Sequence, residues 1–275
     1  MIVRPIRVTD LPAVLSLLEG SCRELNNLST DPERLAHRVR WAQRAFANQV
    51  ERADADYLFV MEDDEQQVIG VCGLSGAIGL REPCYNYRVG TTHGSAPVLG
   101  IEKHIPTLFL CNEMTGQSLL CSLFLRRDHR QGYTGRLLST ARLLFVAEFP
   151  RLFGDKLVAE LRGQLDSQGR SPFWDSLGRH FFKMGFQQAN RLSSHGSKSF
   201  IAELMPRQPL YTCLLSPQAQ AAIGQAHAST EQAVSILRDE GFSHQGCIDI
   251  FDGGPLIEAC LLYTSPSPRD QRGSR

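Results

Sequence analysis

Apolar and polar residues alternate from Ile2 to Arg7, the period of a half-buried strand. Leu11, Val14, Leu15 and Leu18 then recur at helical spacing behind Thr9, a capping residue, so a helix is predicted to about Glu19. Asp31-Pro32 opens a second helix to about Phe46, with proline in the first turn where its missing N–H costs nothing. Tyr57 to Glu62 and Val68 to Leu80 are apolar runs around the polar turn Asp63 to Gln67, which predicts two paired strands. Shorter strands are predicted at Cys84 to Val89 and Pro106 to Leu110. Leu119 to Leu125 is almost wholly apolar, as a strand covered on both faces would be.

A basic, glycine-containing turn follows, then a long helix with Leu137, Leu138, Ala141, Leu144 and Phe145 on its expected core side. Lys156 to Leu161 is the next strand. Ser171-Pro172 starts a helix closed by Gly185, and Phe200 to Met205 reads as a strand. Ser216-Pro217 starts a helix ending near Gly224. Ser229 and Gln232 form a capping-box pattern for a helix that Gly241 stops. Cys247 to Phe251 is the final strand, before the turn Asp252-Gly253-Gly254-Pro255. Strands interleaved with helices after an antiparallel start predict an α/β fold.

The length, 275 residues, is enough to bury about three quarters of the unfolded surface in one or two domains. Basic and acidic residues balance at 29 each, which argues against a broad nucleic-acid footprint. No apolar run reaches membrane-spanning length, and the start lacks a signal-peptide apolar region, so the cytoplasm is the expected location. The eight cysteines include no C-x-x-C pair and are expected to be buried free thiols rather than metal ligands. Residues 260–275 read CLLYTSPSPRDQRGSR, without strand or helix period. They resemble the conceptual translation of a sequencing-library adapter, and the expectation is a non-native, disordered tail on a truncated chain. The folded region is then residues 1–259.

Candidate chemistry starts with Arg130-Gln-Gly132-Tyr-Thr-Gly135-Arg136, between the apolar strand and the long helix. A pyrophosphate wants backbone N–H groups, glycines that let the chain approach, and a helix N-terminus behind them. Arg130 and Arg136 add charge that can pair with phosphate. The stretch resembles the R-x-x-G-x-G/A loop of the GCN5-related N-acyltransferase superfamily, which binds coenzyme A. Its first glycine lies two rather than three positions after Arg130, so Tyr133 stands at a usual glycine position.

The resemblance narrows over the whole body. YNYRVGT, PTLFL, LCSLFL, SPFWDSLGRHFF, FIAELMP, IGQAH and IDIFDGGP are similar, in order and spacing, to segments of the arginine N-succinyltransferase family. That resemblance implies a GCN5-related N-acyltransferase-like mixed β-sheet flanked by helices. It implies transfer of succinyl from succinyl-CoA, as co-substrate, to the α-amine of L-arginine, the first step of arginine catabolism by the succinyltransferase route. No permanently bound cofactor is expected, and a homo- or hetero-oligomer is. The family also implies a smaller, β-rich C-terminal domain beyond the end of this chain. Ornithine as acceptor, another acyl donor, or an inactive CoA-binding fragment are the alternatives.

Direct attack needs a neutral amine, donors for the tetrahedral oxyanion and a proton for the leaving thiolate. His227, in IGQAH, is the family-matched general acid, and an imidazole exchanges its proton near neutrality. Leu123 is the family-matched succinyl-CoA contact, through its backbone, because its side chain is apolar. Arg130, Gly132, Gly135 and Arg136 would hold the diphosphate. For the succinyl carboxylate the candidates are Arg88 and Arg162, and for the substrate guanidinium Glu160, Glu203 and Asp175. Tyr85, Tyr87, Phe173 and Trp174 could wall the pocket, with core packing expected for the last two.

Overall fold

The computed structural model describes residues 1–19, 28–195 and 203–261. Its strands form one mixed sheet in the order β1-β2-β3-β6-β7-β10-β9-β4-β5-β8. β1 (Ile2–Pro5), β2 (Asp56–Glu62) and β3 (Val68–Ser75) pair antiparallel as the sequence predicts, joined at β2 and β3 by the Asp63 turn. β6 (Ser118–Leu125) lies antiparallel to β3 and parallel to β7 (Lys156–Glu160). Helices cover this half on both faces. On β2, Leu58 and Val60 face α1 (Leu11–Glu19) and α2 (Pro32–Phe46), while Tyr57, Phe59 and Met61 face α3 (Thr134–Glu148). Two covered faces make both parities apolar, which is why the strands read as continuous runs.

Local signals place the helix starts. Asp31 Oδ1 accepts from the N–H groups of Glu33 and Arg34 at 2.9 and 3.1 Å and sets the start of α2. At α1 the expected cap, Thr9, lies inside a single 3-10 turn, Val8–Asp10, that leads into the helix with Arg7 at its N-cap and Asp10 closing back on it. Asp10 accepts the Arg7 N–H at 2.7 Å and two guanidinium N–H groups of Arg4, each at 2.8 Å. The face of α3 also differs from expectation. Leu137 and Leu144 are exposed, whereas Leu138, Ser139, Arg142 and Val146 are buried.

In the other half, β4 (Asn86–Ala96) and β5 (Ile101–Cys111) form a long hairpin that turns at Gly100. Both strands extend past their predicted ends because cross-strand pairing carries polar residues such as Thr91 to Ser95, which show no apolar alternation. A second core packs on one face of this half, with Trp174 stacked between Phe182 and Phe251. The single helix predicted after Ser171 is two pieces, α4 (Pro172–Ser176) and α5 (Gly178–Phe182). A Cβ at Gly178 would fall 2.4 Å from the Trp174 ring, so the chain bends there to seat the indole. α6 (Phe186–His195), β8 (Leu210–Tyr211) and α7 (Pro217–Ala222) follow. Glu203 and Leu204 are helical rather than extended, and the rest of that predicted strand up to residue 202 lies outside the described residues.

α8 (Glu231–Asp239), β9 (Ser243–Asp249) and β10 (Pro255–Cys260) complete the chain. The sequence pattern does not predict β10. It inserts between β7 and β9 and joins the two halves. It continues through Cys260, opposite Lys156, and the Leu261 N–H donates to Asp155 O at 2.8 Å, so the sheet takes in the first residues assigned to the tail. Among the described cysteines, Cys72, Cys84, Cys121 and Cys247 are buried and unbridged as expected, but Cys213 and Cys260 are exposed. No helix among the described residues is long and apolar enough to cross a membrane.

Candidate active site

β6 and β7 run side by side for three residue pairs, Ser118 with Leu157, Leu119 with Val158 and Leu120 with Ala159, and then part. A bulge parts them. On the opposite edge of β6, Cys121 pairs with Gly73 and Phe124 with Val71, so Ser122 and Leu123 together oppose Cys72. Ser122 takes φ +54, an uncommon value for a residue with a Cβ. Gly73 makes room for it, since a Cβ there would lie 2.9 Å from Cys121 Sγ. Past the bulge β6 stays with β3, while Glu160 and Leu161 turn to β10 through Leu256 and Pro255.

The result is a wedge between Leu123 on one side and Glu160 to Arg162 on the other. Leu123 is half-buried there, beyond the last β6–β7 pair. A ligand that is itself an extended, amide-bearing chain can enter such a gap as a strand would. Past the last β6–β7 pair, the Leu123 backbone rather than its apolar side chain is what such a chain would meet.

His227 is tied to the far side of this wedge. Ala226 bridges Gly163, and the His227 N–H donates to Arg162 O at 2.7 Å. The expected Ser229–Gln232 capping box is absent. Thr230 stands at the N-cap of α8 without a side-chain bond, and Ser229 serves the histidine instead. The Ser229 N–H donates to His227 Nδ1 at 3.1 Å, and Ser229 Oγ lies 2.8 Å from the same nitrogen. A backbone N–H can only donate, so in the neutral ring Nδ1 accepts and the proton sits on Nε2. In the imidazolium, Nδ1–H can donate to Ser229 Oγ. Nδ1 is thus tied to Ser229, and Nε2 is the ring nitrogen without a hydrogen bond to Ser229.

At the end of β6, Arg130 folds back on the strand. Its Nε donates to Leu125 O at 2.7 Å, and its guanidinium lies 5.4 Å from the Phe124 ring centroid. Gly132 takes φ +57 with open space where a Cβ would stand. Tyr133 occupies the N-cap of α3 with no side-chain cap, which leaves the first-turn amides of Gly135 and Arg136 facing outward. Arg136 itself pairs with Asp239 at 3.2 Å and Glu240 at 3.0 Å on α8. An anion placed here would meet the helix amides and dipole first. The partly exposed Arg136 pairs are weak enough to exchange for a phosphate.

The wedge therefore brings together Leu123, Glu160, Arg162 and His227, with Arg130, Gly132, Gly135 and Arg136 at its basic end. Three predicted substrate contacts are elsewhere, among them Asp175, on α4 beside Arg179. Arg88 sits on β4, opposite Cys247, and pairs with Glu113 and Gln245 O. Four strand steps separate β4 from β6, about 19 Å. Glu203 is exposed next to Met205, which is buried in the second core. Tyr87, Phe173 and Trp174 are core residues of that same half.

Asp252 is a further candidate that no sequence motif singles out. It is buried at the turn into β10, and its Oδ1 accepts the Gly254 N–H at 2.9 Å. Burial first, then the charge of Asp249, push its carboxyl up to about 7. A Cβ on Gly163 would lie 2.7 Å from Asp252 Oδ1, so this carboxyl is packed directly against the residue that anchors Ala226. Only its place in the D-G-G turn could have drawn attention to it. No cluster of three potential metal ligands exists among the described residues.

This geometry agrees with what the chain resembles. A family model described as arginine N-succinyltransferase beta subunit matches residues 1–264. An arginine N-succinyltransferase subunit beta of Pseudomonas aeruginosa is 58% identical over 259 residues, 94% of this chain and 76% of the relative. An arginine N-succinyltransferase of Yersinia pestis is 46% identical over 260 residues, 94% of this chain and 74% of the relative. The solved structure of arginine/ornithine succinyltransferase subunit AI from Pseudomonas aeruginosa superposes with a TM-score of 0.83 at 36% identity, covering 94% of this chain and 76% of that one. The mixed sheet flanked by helices, the wedge within it and these likenesses agree: the chain belongs to the arginine N-succinyltransferase family of acyltransferases.

Proposed function

We propose that this chain transfers succinyl from succinyl-CoA to the α-amine of L-arginine, both substrates being held at once. The observation that carries the reading is the wedge between β6 and β7, with an uncapped helix start at one end and His227 hydrogen-bonded to Arg162 O at the other. The diphosphate of CoA would sit on the first turn of α3, and the pantetheine arm would run along Leu123. The neutral amine nitrogen attacks the thioester carbonyl, a C–N bond forms and the carbonyl becomes an oxyanion. Collapse breaks the C–S bond, and His227, as imidazolium, gives its Nε2 proton to the thiolate, leaving Nδ1–H on Ser229 Oγ until proton exchange with solvent restores the resting Nε2–H ring. The products are CoA thiol and the succinyl amide, and the nitrogen loses its remaining extra proton to solvent. Arg162 and Glu160, at the end of β7 beside the wedge, are the groups of each sign that we assign to the succinyl carboxylate and the substrate guanidinium.

The test is thiol release from succinyl-CoA with arginine, ornithine and lysine offered in turn. Turnover with arginine above the others is the expected result, and no release with any of them overturns the reading. Ornithine is the second acceptor to examine, because the relative of known structure is described as an arginine/ornithine succinyltransferase. The chain spans about three quarters of the length of its relatives. The same assay on a version extended to their full length separates a wrong substrate from an incomplete pocket.

A further inference from the structure

α3 presents a buried arginine to the strand that carries the bulge. Arg142 is 2% exposed and has no carboxylate partner among the described residues. Its Nε donates to Ser139 O at 3.2 Å, Nη2 to Ser139 Oγ at 2.9 Å and Nη1 to Cys121 O at 3.4 Å. Burying a guanidinium without a counter-charge is costly, and an apolar residue of similar volume would pack a helix against a sheet more favourably. The position therefore needs the donors.

What they serve is the peptide at the mouth of the wedge. Cys121 is the last residue before the bulge, and its buried carbonyl must find a donor. Arg142 supplies one from the α3 side. From the α2 side, Arg38, held by Asp56 Oδ2 at 2.6 Å, places Nη2 3.7 Å from Cys121 Sγ. Cys121 is thus gripped from both faces of the sheet, at the point where β6 leaves β7. The Cys121–Ser122 peptide is trans, so holding its oxygen also fixes where the Ser122 N–H points. A cationic donor on the oxygen polarises that N–H into a stronger donor.

We propose that Arg142 is a positioning residue of the transfer reaction. It holds the Cys121–Ser122 peptide in the bulged form that opens the wedge, and through it sets where the thioester carbonyl lies relative to His227. The proposal rests on the acyl-transfer reading above. The test compares the parent with Arg142→Met, Arg142→Lys and Ser139→Ala by thermal melting, succinyl-CoA affinity from calorimetry, and kcat and KM for arginine. Folded Arg142→Met should lose about tenfold or more in kcat and about threefold or more in succinyl-CoA affinity, with KM for arginine within about twofold of the parent. Arg142→Lys should regain part of the lost kcat, because one ammonium N–H can still reach Cys121 O, but not all of it, because the planar fork is gone. Ser139→Ala keeps the guanidinium and loosens it, and should cost about two- to fivefold in kcat.

Arg142→Met with a changed melting temperature but kcat and affinity within about twofold of the parent overturns the proposal, because a structural pillar alone would give that result. If Arg142→Met does not fold, unchanged kcat and affinity in both Arg142→Lys and Ser139→Ala overturn it instead. A parent that binds no succinyl-CoA sinks the acyl-transfer reading and this proposal together. A parent that binds it, with variants that bind equally well, sinks this proposal alone.

Discussion

The two halves of the sheet are built to different plans. From β2 to β7 both faces are covered by helices, and the strand interiors are largely apolar at both parities. From β9 to β8 helices cover one face, while the other carries the Arg88–Glu113 pair and the partly exposed Phe109 and Tyr211. The doubly covered half can hold a break in its ladder, because buried arginines and helix starts satisfy the freed backbone groups. The singly covered half keeps β4 and β5 in register over their whole length, and the stretch from Gly224 to Thr230 is the loop that the proposed reaction draws on. The contrast separates residues proposed to carry the reaction from residues that carry the second core.

The sharpest way to break that separation is His227→Asn. Asparagine can still cap the turn before α8 but cannot deliver a proton, so kcat should fall by about 100- to 10,000-fold while succinyl-CoA affinity stays near the parent's. Parent-level turnover in a steady-state assay would remove the general acid from this loop. Trp174→Ala tests the other half. It empties the slot between Phe182 and Phe251 and should cost about 3–5 kcal/mol in urea unfolding, yet leave succinyl-CoA affinity of the folded protein unchanged. A large loss of affinity would show that the halves are coupled more tightly than their separate cores suggest.

Asp252 lies at their junction and makes stability depend on pH. Its carboxyl, pushed up to about 7 by burial and by Asp249, binds its proton more tightly in the folded chain than in the unfolded one. Its contribution is therefore full below about pH 4 and is lost as pH rises through about 7. The stability of the parent relative to Asp252→Asn should fall across that window, by about 1.4 kcal/mol for each step of one in pH, and level off above it. A flat difference in denaturation series from pH 5 to pH 8 would mean that the carboxyl stays ionised. The smallest effect is expected at the helix start. Gly135→Val should weaken succinyl-CoA binding by about tenfold, by blocking approach to the α3 amides, with little effect on melting because the added Cβ meets only ordinary contacts at 3.9 Å.

Much of this architecture is legible in the chain wherever the deciding atoms lie within a few residues of one another. Asp31-Pro32 and Ser216-Pro217 open helices because aspartate and serine cap their own following amides. Apolar runs at β2, β3 and β6 mark buried strands because both of their faces are covered. The basic turn after β6 is recognisable as a candidate anion site because glycines and a helix start are local features. Other signals point the wrong way. Thr9, the Ser229–Gln232 box and Leu144 each follow a sound local rule, and each is overruled by a contact that the rule leaves out. Arg4 recruits Asp10, the His227 ring takes Ser229, and the bulged strand turns the Arg142 face of α3 inward.

Local sequence thus settled most of the helix starts and the buried strands β2, β3 and β6, since short-range hydrogen bonds and side-chain periodicity decide those. The assembled fold alone decided that β10 would slip between β7 and β9, that β6 and β7 would part at Cys121, and that an imidazole from a distant loop would be anchored to Arg162. Those outcomes depend on which buried carbonyl finds which donor across the sheet, a choice made only when strands far apart in the chain are packed together.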